Sequence, residues 1–462
     1  MTSSLDTSTT LTPYKTASLA ELWHISYPLM LTALSGNLMM FMDRVLLCRY
    51  QPTAMAAVTT VGMIFTIFQF AGISIASIAE VFVGKYNGAN QQAKIGPLVW
   101  QMIWFSALTA FVFFPVGYLC GELLLPLKYH AFGVVYFKTI MFFGPMFPLV
   151  AALSSFFIGQ GSVKVITYST IAVNFINIIL AYVFIFGLGI IPQQGAMGAA
   201  LATGIAISLQ AAFLFIIFLR KEHRLKCNTA CYYIKSAEFL RCLKVGVPNA
   251  TGYLIEMAAW AFLLQMMTRT DEAHIMVLAF GQAIFLLVAF TTDGLQKAII
   301  AVASNLIGMQ KLRLLTTLIK SGLKLHGLIV LFFAIPFLIF PELLVNLFFS
   351  TEESFINYAT LLAYTKTTCM WVLFYFVFDG LVWVSAGILT AFEDTVFIMI
   401  MNTVSVWLLA ILPNYIAISY FNASPASIWK LMTIYALVNS IGFCLRYIKL
   451  RLPMAKHEVV LS

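Results

Sequence analysis

Between Thr367 and Phe392 the chain runs for 26 residues with a single charged group, Asp379. The centre of this stretch reads LFYFVFDGLVWV, residues 373–384. About 20 apolar residues suffice to cross a bilayer as a helix, so the stretch is read as a membrane span. Lipid offers the backbone no hydrogen-bond partner, which favours helix for such a segment. An ionised carboxylate at that depth costs roughly 2.5–3.5 kcal/mol or more. A chain that keeps one there is expected to use it.

The rest of the sequence is of the same kind. Of 462 residues, 61% are hydrophobic and only 10% charged, with a mean hydropathy of +0.93. Soluble domains are nearer half apolar and a quarter charged. The expectation is an all-α polytopic membrane protein. Apolar runs place twelve helices near 22–47, 54–84, 96–121, 132–159, 165–190, 195–219, 240–268, 275–307, 316–349, 356–391, 396–420 and 426–448. The first twenty residues are polar and rich in Ser and Thr, without the apolar core of a cleaved signal peptide.

The net charge of +9 does not call for nucleic acid, because the basic residues sit in short loops between apolar runs. With the N-terminus inside, Lys85, Lys94, Lys164, the run from Arg220 to Lys244, Lys311, Arg313 and the C-terminal tail are cytoplasmic. Only Arg49, Lys128 and Arg269 fall on the other side. The positive-inside rule then gives twelve spans with both termini cytoplasmic.

The long basic stretch divides the helices six and six. The chain reads as a polar tail (1–21), an N-lobe (22–219), a basic cytoplasmic linker (220–239), a C-lobe (240–448) and a C-terminal tail (449–462). At an offset of 220 residues Pro28 falls on Pro248, Ile64 on Ile284, Phe65 on Phe285, Phe70 on Phe290 and Gly88 on Gly308. Two halves of equal orientation make a parallel repeat, an architecture used by transporters.

Charged residues inside the runs are the candidate site. Glu80 lies near a helix end, where snorkelling to the interface explains it as well as function does. Asp293 and Lys297 stand one turn apart and are expected to neutralise each other as an ion pair. Asp43, followed by Arg44, lies towards the outer end of its helix. Glu256 and Asp379 stand near the middle of their spans with no basic residue within a turn. A buried carboxylate without a partner protonates or recruits a cation. Tyr375, four residues before Asp379, shares its helix face and can donate to the carboxylate or offer its ring to a cation.

Other chemistries find little support. The seven cysteines form no disulfide pattern. His223, Cys227 and Cys231 have the spacing of metal ligands on one helix face, but free thiols in a cytoplasmic loop are the ordinary reading. No GxxxxGK[ST] loop is present for ATP hydrolysis. No two of the six histidines pair at ligand spacing, which argues against a membrane enzyme.

The segment FDGLVWVSAGILTAFEDT (378–395) resembles the tenth helix and following loop of the MATE family, the multidrug and toxic compound extrusion transporters. GVPNATGYLIEMAAW (246–260) resembles the seventh helix, and GAMGAALATGIA (195–206) the sixth. YPLMLTALSGNLMMFMDRVL (27–46), AMAAV (54–58) and VGKYNGA (83–89) resemble the family's opening. Glu256, Tyr375 and Asp379 together are similar to the NorM branch. The resemblance implies a two-lobe antiporter that expels organic cations or drugs in exchange for Na+ or H+, with no other cofactor. It implies a C-lobe cation site at Glu256, Tyr375 and Asp379, with any Na+ held by Glu256 and Asp379. It also implies an N-lobe polar network of Asp43, Asn177 and Thr203. The family often carries Asp or Asn one turn after the helix-5 asparagine, where this chain has Ala181, so the N-lobe network is poorer by one oxygen. The alternative is a lipid-linked-saccharide flippase of the same superfamily, whose cavity would be cationic rather than acidic. Expected partners are small organic cations and the bilayer of the inner membrane, and a monomer is the default.

Overall fold

The computed structural model describes residues 10–268, 270, 272–348 and 358–460. Arg269, counted above on the outer side, lies outside them. Twelve long helices follow one another: α1 Leu19–Tyr50, α2 Pro52–Gly88, α3 Gln92–Leu119, α4 Leu127–Ile158, α5 Val163–Phe186, α6 Gly195–Phe218, α7 Ser236–Met267, α8 Ala273–Gly308, α9 Leu314–Ile339, α10 Leu362–Ala391, α11 Thr395–Phe421 and α12 Ser427–Leu450. Eleven of them are long and apolar enough to cross a membrane. The exception is α7, whose 32 residues are long enough but include Glu238, Arg241, Lys244 and Glu256. The protein is an all-α, multi-pass membrane protein.

Helix boundaries differ from the sequence reading where proline intervenes. The run expected as one helix over 316–349 breaks at Phe340, and a separate short helix, Pro341–Phe348, follows. Pro341 has no N–H to continue the ladder, and the residue before a proline is driven out of the helical region. Within α11 the segment Val406–Ile411 widens to a π-helix just ahead of Pro413. There the Asn414 side-chain amide donates to the Ala410 carbonyl at 2.8 Å, taking up an acceptor near the disturbed turn.

The polar N-terminal tail is held at its inner end. The Glu21 backbone N–H donates to Ser18 Oγ at 3.2 Å, and Ala17 N–H donates to Glu21 Oε2 at 2.6 Å. This is a near relative of the capping box. Ser321 Oγ of α9 donates to the Ala17 carbonyl at 2.8 Å.

The chain packs as two compact units. The first contains residues 27–251 and 300–311, with 1–13; the second contains 252–299 and 312–462, with 14–26. The division falls within α1 beside Pro28 and within α7 just after Pro248. The core of the second unit gathers α7, α8, α10, α11 and α12 around the fully buried Trp429 and Phe376. The first unit has an apolar cluster around Phe65, Phe113 and Phe137 and another around Leu47, Ala181 and Ile185.

The repeat glycines meet within the first unit, where the ends of α2 and α8 cross. A Cβ on Gly88 would lie 2.1 Å from the Asn305 carbonyl oxygen, and one on Gly308 would lie 2.1 Å from the Lys85 carbonyl oxygen. Lys85 and Asn305 are themselves 220 residues apart, so the contact is reciprocal. Asn87 Nδ2 donates to Asn305 Oδ1 at 3.2 Å beside it. Backbones can come this close only where side chains are absent. Gly88→Ala and Gly308→Ala are each expected to destabilise the purified protein by about 1–3 kcal/mol through overpacking. Gly36→Ala, with nothing within 4 Å of its Cβ, should show only the small helix-propensity gain. Thermal unfolding of the three variants in detergent checks this.

Candidate functional site

The second unit brings four helices together around Asp379. Helix α7 supplies Tyr253 and Glu256, α8 supplies Asp293 and Gln296, α10 supplies Tyr375, Asp379 and Trp383, and α12 supplies Tyr435. Asp379 lies within the electrostatic reach of both Glu256 and Asp293. Glu256 also acts on Tyr253, Tyr375 and Tyr435. Tyr375 and Tyr435 are buried, at 2% and 5% exposure. The Tyr375 ring stands edge-on to Phe285 at 5.1 Å and to Trp429 at 5.7 Å, which fixes it against both α8 and α12.

The expected phenol partner of Asp379 gives way to an indole. Trp383 Nε1 donates to Asp379 Oδ2 at 2.8 Å, whereas Tyr375 makes no hydrogen bond to that carboxylate. Both aromatics stand one turn from Asp379, one before and one after. The Trp383 ring is held in turn by a stack on Tyr253, with centroids 6.0 Å apart and an interplanar angle of 21°. The Gln296 side chain lies beside the Tyr253 phenol. The order is therefore α8 to α7 to α10: Gln296, Tyr253, Trp383, Asp379.

Asp293 and Lys297, expected as an ion pair, make no contact within salt-bridge distance, and both retain exposed surface. Lys297 acts on Asp293 only at longer range. The basic side chain does not reach Asp379 or Glu256, so the centre of the cluster is acidic.

One helix face away, α9 sends His326 against α10. His326 is 3% exposed, its Nε2 lies 3.1 Å from the Phe376 carbonyl, and its ring occupies the space a Cβ on Gly380 would need. The residue next to Asp379 is a glycine because an imidazole fills that place.

In the first unit Asp43, Asn177 and Thr203 come together. Asn177 Nδ2 donates to Thr203 Oγ1 at 3.2 Å, the Thr203 hydroxyl donates to the Ala199 carbonyl at 3.1 Å, and the Asp43 carboxylate lies beside Thr203. Asp43 Oδ1 and Asn177 Oδ1 are buried acceptors with no hydrogen-bond donor. Ala181 packs among Leu46, Leu47 and Ile185 with no exposure, an apolar floor one turn from Asn177. Tyr136, which no sequence signal singled out, lies within reach of Asp43 and Arg44.

The His223, Cys227 and Cys231 triplet does not assemble. Among the described residues no three His, Cys, Asp or Glu side chains gather as metal ligands. His223 stands edge-on to Phe156 at 5.1 Å, and burial lowers its pKa below the usual imidazole value. Cys227 is fully buried with its thiol 3.7 Å from Gln160 Oε1, and burial pushes its pKa up to about 11.

This is a helical membrane protein with an acidic, aromatic-walled cluster in one unit and a smaller polar network in the other. A family model described as MatE matches residues 28–183 and again 248–416. The two matches begin 220 residues apart, at Pro28 and Pro248, the offset of the internal repeat. The chain belongs to the MatE family. It is 22% identical over 445 residues to a protein named probable multidrug resistance protein NorM from Bacillus subtilis (strain 168), covering 93% of this chain and 95% of that one. It is 23% identical over 394 residues to a protein of the same name from Thermotoga maritima, covering 84% and 83%. A solved structure described as the outward-facing conformation of a multidrug resistance MATE family transporter of the MOP superfamily shares the fold. The TM-score is 0.85 at 15% identity, over 96% of this chain and 97% of that one.

Two outcomes follow from these contacts. The carboxylate stretch of Asp379, isolated by infrared difference against Asp379→Asn, should shift in Trp383→Phe and stay in place in Tyr375→Phe. In variants that keep one loop cysteine each, maleimide should label Cys231 at pH 8. Cys227, with only about one thiolate in a thousand at that pH, should remain unlabelled until the protein unfolds.

Proposed function

We propose that this protein is a secondary antiporter that exports organic cations, drugs among them, in exchange for Na+ or H+. The observation that carries the reading is the grouping of the half-buried Glu256 and Asp379 in one aromatic-walled cluster that no basic side chain neutralises. Such a cluster favours monovalent cations, and its tyrosine and tryptophan rings suit a flat organic one. Coupling ion and cargo compete for the same carboxylates. When Na+ or H+ neutralises them, the attraction for an organic cation falls and the cargo is released. When the ion leaves, the site takes up cargo again. Alternating access between two conformations turns this competition into exchange, because each ligand favours the state that binds it better.

The names of the relatives, multidrug resistance proteins, support drugs as the cargo class. The acidic polarity argues against a flippase for lipid-linked saccharides, whose phosphates would want basic side chains. The basic loops support an inner-membrane placement with both termini in the cytoplasm. In the first unit, the free oxygens of Asp43 and Asn177 are available to a second cation.

Proteoliposomes loaded with ethidium test the reading. Efflux should accelerate when an inward Na+ gradient or an inward pH gradient is imposed, and whichever gradient acts identifies the coupling ion. Asp379→Asn and Glu256→Gln, in protein of unchanged thermal stability, should each slow coupled efflux by about tenfold or more. That is the loss expected when a charge-assisted contact of roughly 1.5–3 kcal/mol is removed. Efflux by Asp379→Asn that still responds fully to the gradient would overturn the mechanism.

A further inference from the structure

We propose that the segment joining α6 to α7, residues 220–235, is a headgroup-level anchor that binds anionic phospholipid of the surrounding bilayer. A connection between two lobes needs only to be long enough. This one is bound down along its length. Trp100 Nε1 of α3 donates to the Thr229 carbonyl at 2.7 Å, and Trp104 Nε1 donates to the Tyr232 carbonyl at 2.7 Å. Gln101 Nε2 donates to the Tyr233 carbonyl at 3.1 Å, and its Oε1 accepts the Lys235 N–H at 2.9 Å. The backbone at Gly96 approaches so closely that a Cβ there would meet the Cys227 carbonyl oxygen at 2.5 Å. Three side chains and one glycine of α3 thus hold a non-helical strand against the helix.

That attachment turns the strand's large side chains outward. Tyr232, Tyr233 and Ile234 are 54%, 66% and 62% exposed. On the short helix Lys221–Cys227 that precedes the strand, Cys227 and the half-buried His223 face the protein while Leu225 is 79% exposed. In water this would be an apolar patch of the kind that marks a binding surface.

The depth is set by α3. Its 28 residues extend about 42 Å at 1.5 Å each, against a hydrocarbon core of about 30 Å. Placed at the α3 start, the surplus of about 12 Å covers roughly its first eight residues, so Trp100 stands at the hydrocarbon boundary and Trp104 about one turn inside it, the depth range of the aromatic belt of membrane proteins. The strand bound to them lies at the same level.

The charge selects the lipid. Residues 220–235 carry five basic side chains against one acidic, Glu222. Lys221, Arg224, Lys226 and Lys235 are exposed. Exposed apolar residues beside exposed basic ones, on one backbone held at the interface, is the chemistry that seats on anionic headgroups. No residue of the segment belongs to the acidic cluster, so the inference stands apart from the transport reading.

The test uses the full-length protein in vesicles of phosphatidylcholine with or without phosphatidylglycerol. Native mass spectrometry counts the phosphatidylglycerol retained, and a spin label on Tyr233→Cys reports depth by its accessibility to oxygen and to a water-soluble nickel chelate. Other accessible cysteines are replaced for the label. Retained phosphatidylglycerol is expected to fall by about fivefold per charge removed across Lys221→Gln, Arg224→Gln and Lys226→Gln. The label should meet oxygen more readily than nickel. Thermal stability of each variant establishes that it is folded. Equal retention by the wild type and the triple variant would overturn the proposal. So would a label that meets nickel as freely as a water-exposed site, which would make the patch a surface for a soluble partner instead.

Discussion

A carboxylate at membrane depth must be solvated by its own protein, and the second unit is organised around that requirement. Asp379 takes an indole N–H from Trp383 on its own helix. Trp383 is held by a stack on Tyr253, with Gln296 beside the Tyr253 phenol. A second carboxylate, Glu256, shares the cluster in place of a neutralising base. The apolar core of the unit, built on Trp429, Phe376 and Tyr375, positions the four contributing helices. Because the groups come from α7, α8, α10 and α12, a shift of any one of these helices changes what the carboxylate meets. That is the property an exchanging cation site needs.

The first unit solves a smaller version of the problem with fewer oxygens. Asn177 donates to Thr203 beside Asp43, and Asp43 and Asn177 each keep an acceptor without a donor. The helix turn that could have added another oxygen carries Ala181 and closes the site with apolar packing instead. The two halves of the repeat thus have the same helical frame and different chemistry. The frame itself comes together at the Gly88 and Gly308 crossing, where each helix end touches the backbone carbonyl of the other.

Much of this was legible along the chain. Membrane character, helix number and order followed from hydropathy, because lipid demands long apolar helices whatever they pack against. The 220-residue repeat was visible because prolines and glycines at equivalent places shape the backbone locally. Glu256, Asp379 and Asp43 stood out because charge is rare inside such helices. The break at Phe340 was also within reach, since Pro341 announces it, but the apolar run on both sides concealed it.

What the sequence by itself determined is the set of spans and the carboxylates that must be buried within them; both follow from the cost of moving polar groups into hydrocarbon, a property of each segment alone. Only the tertiary structure decided their partners. Tyr375 and Trp383 stand equally close to Asp379 in the helical repeat, and the stack on Tyr253 from another helix selects Trp383. Asp293 and Lys297 are one turn apart yet do not pair, and the connection at 220–235 is not a free linker but a strand held by Trp100 and Trp104. Such choices depend on which side chains other helices bring within about 3 Å, and nothing in the spacing along one helix carries that information.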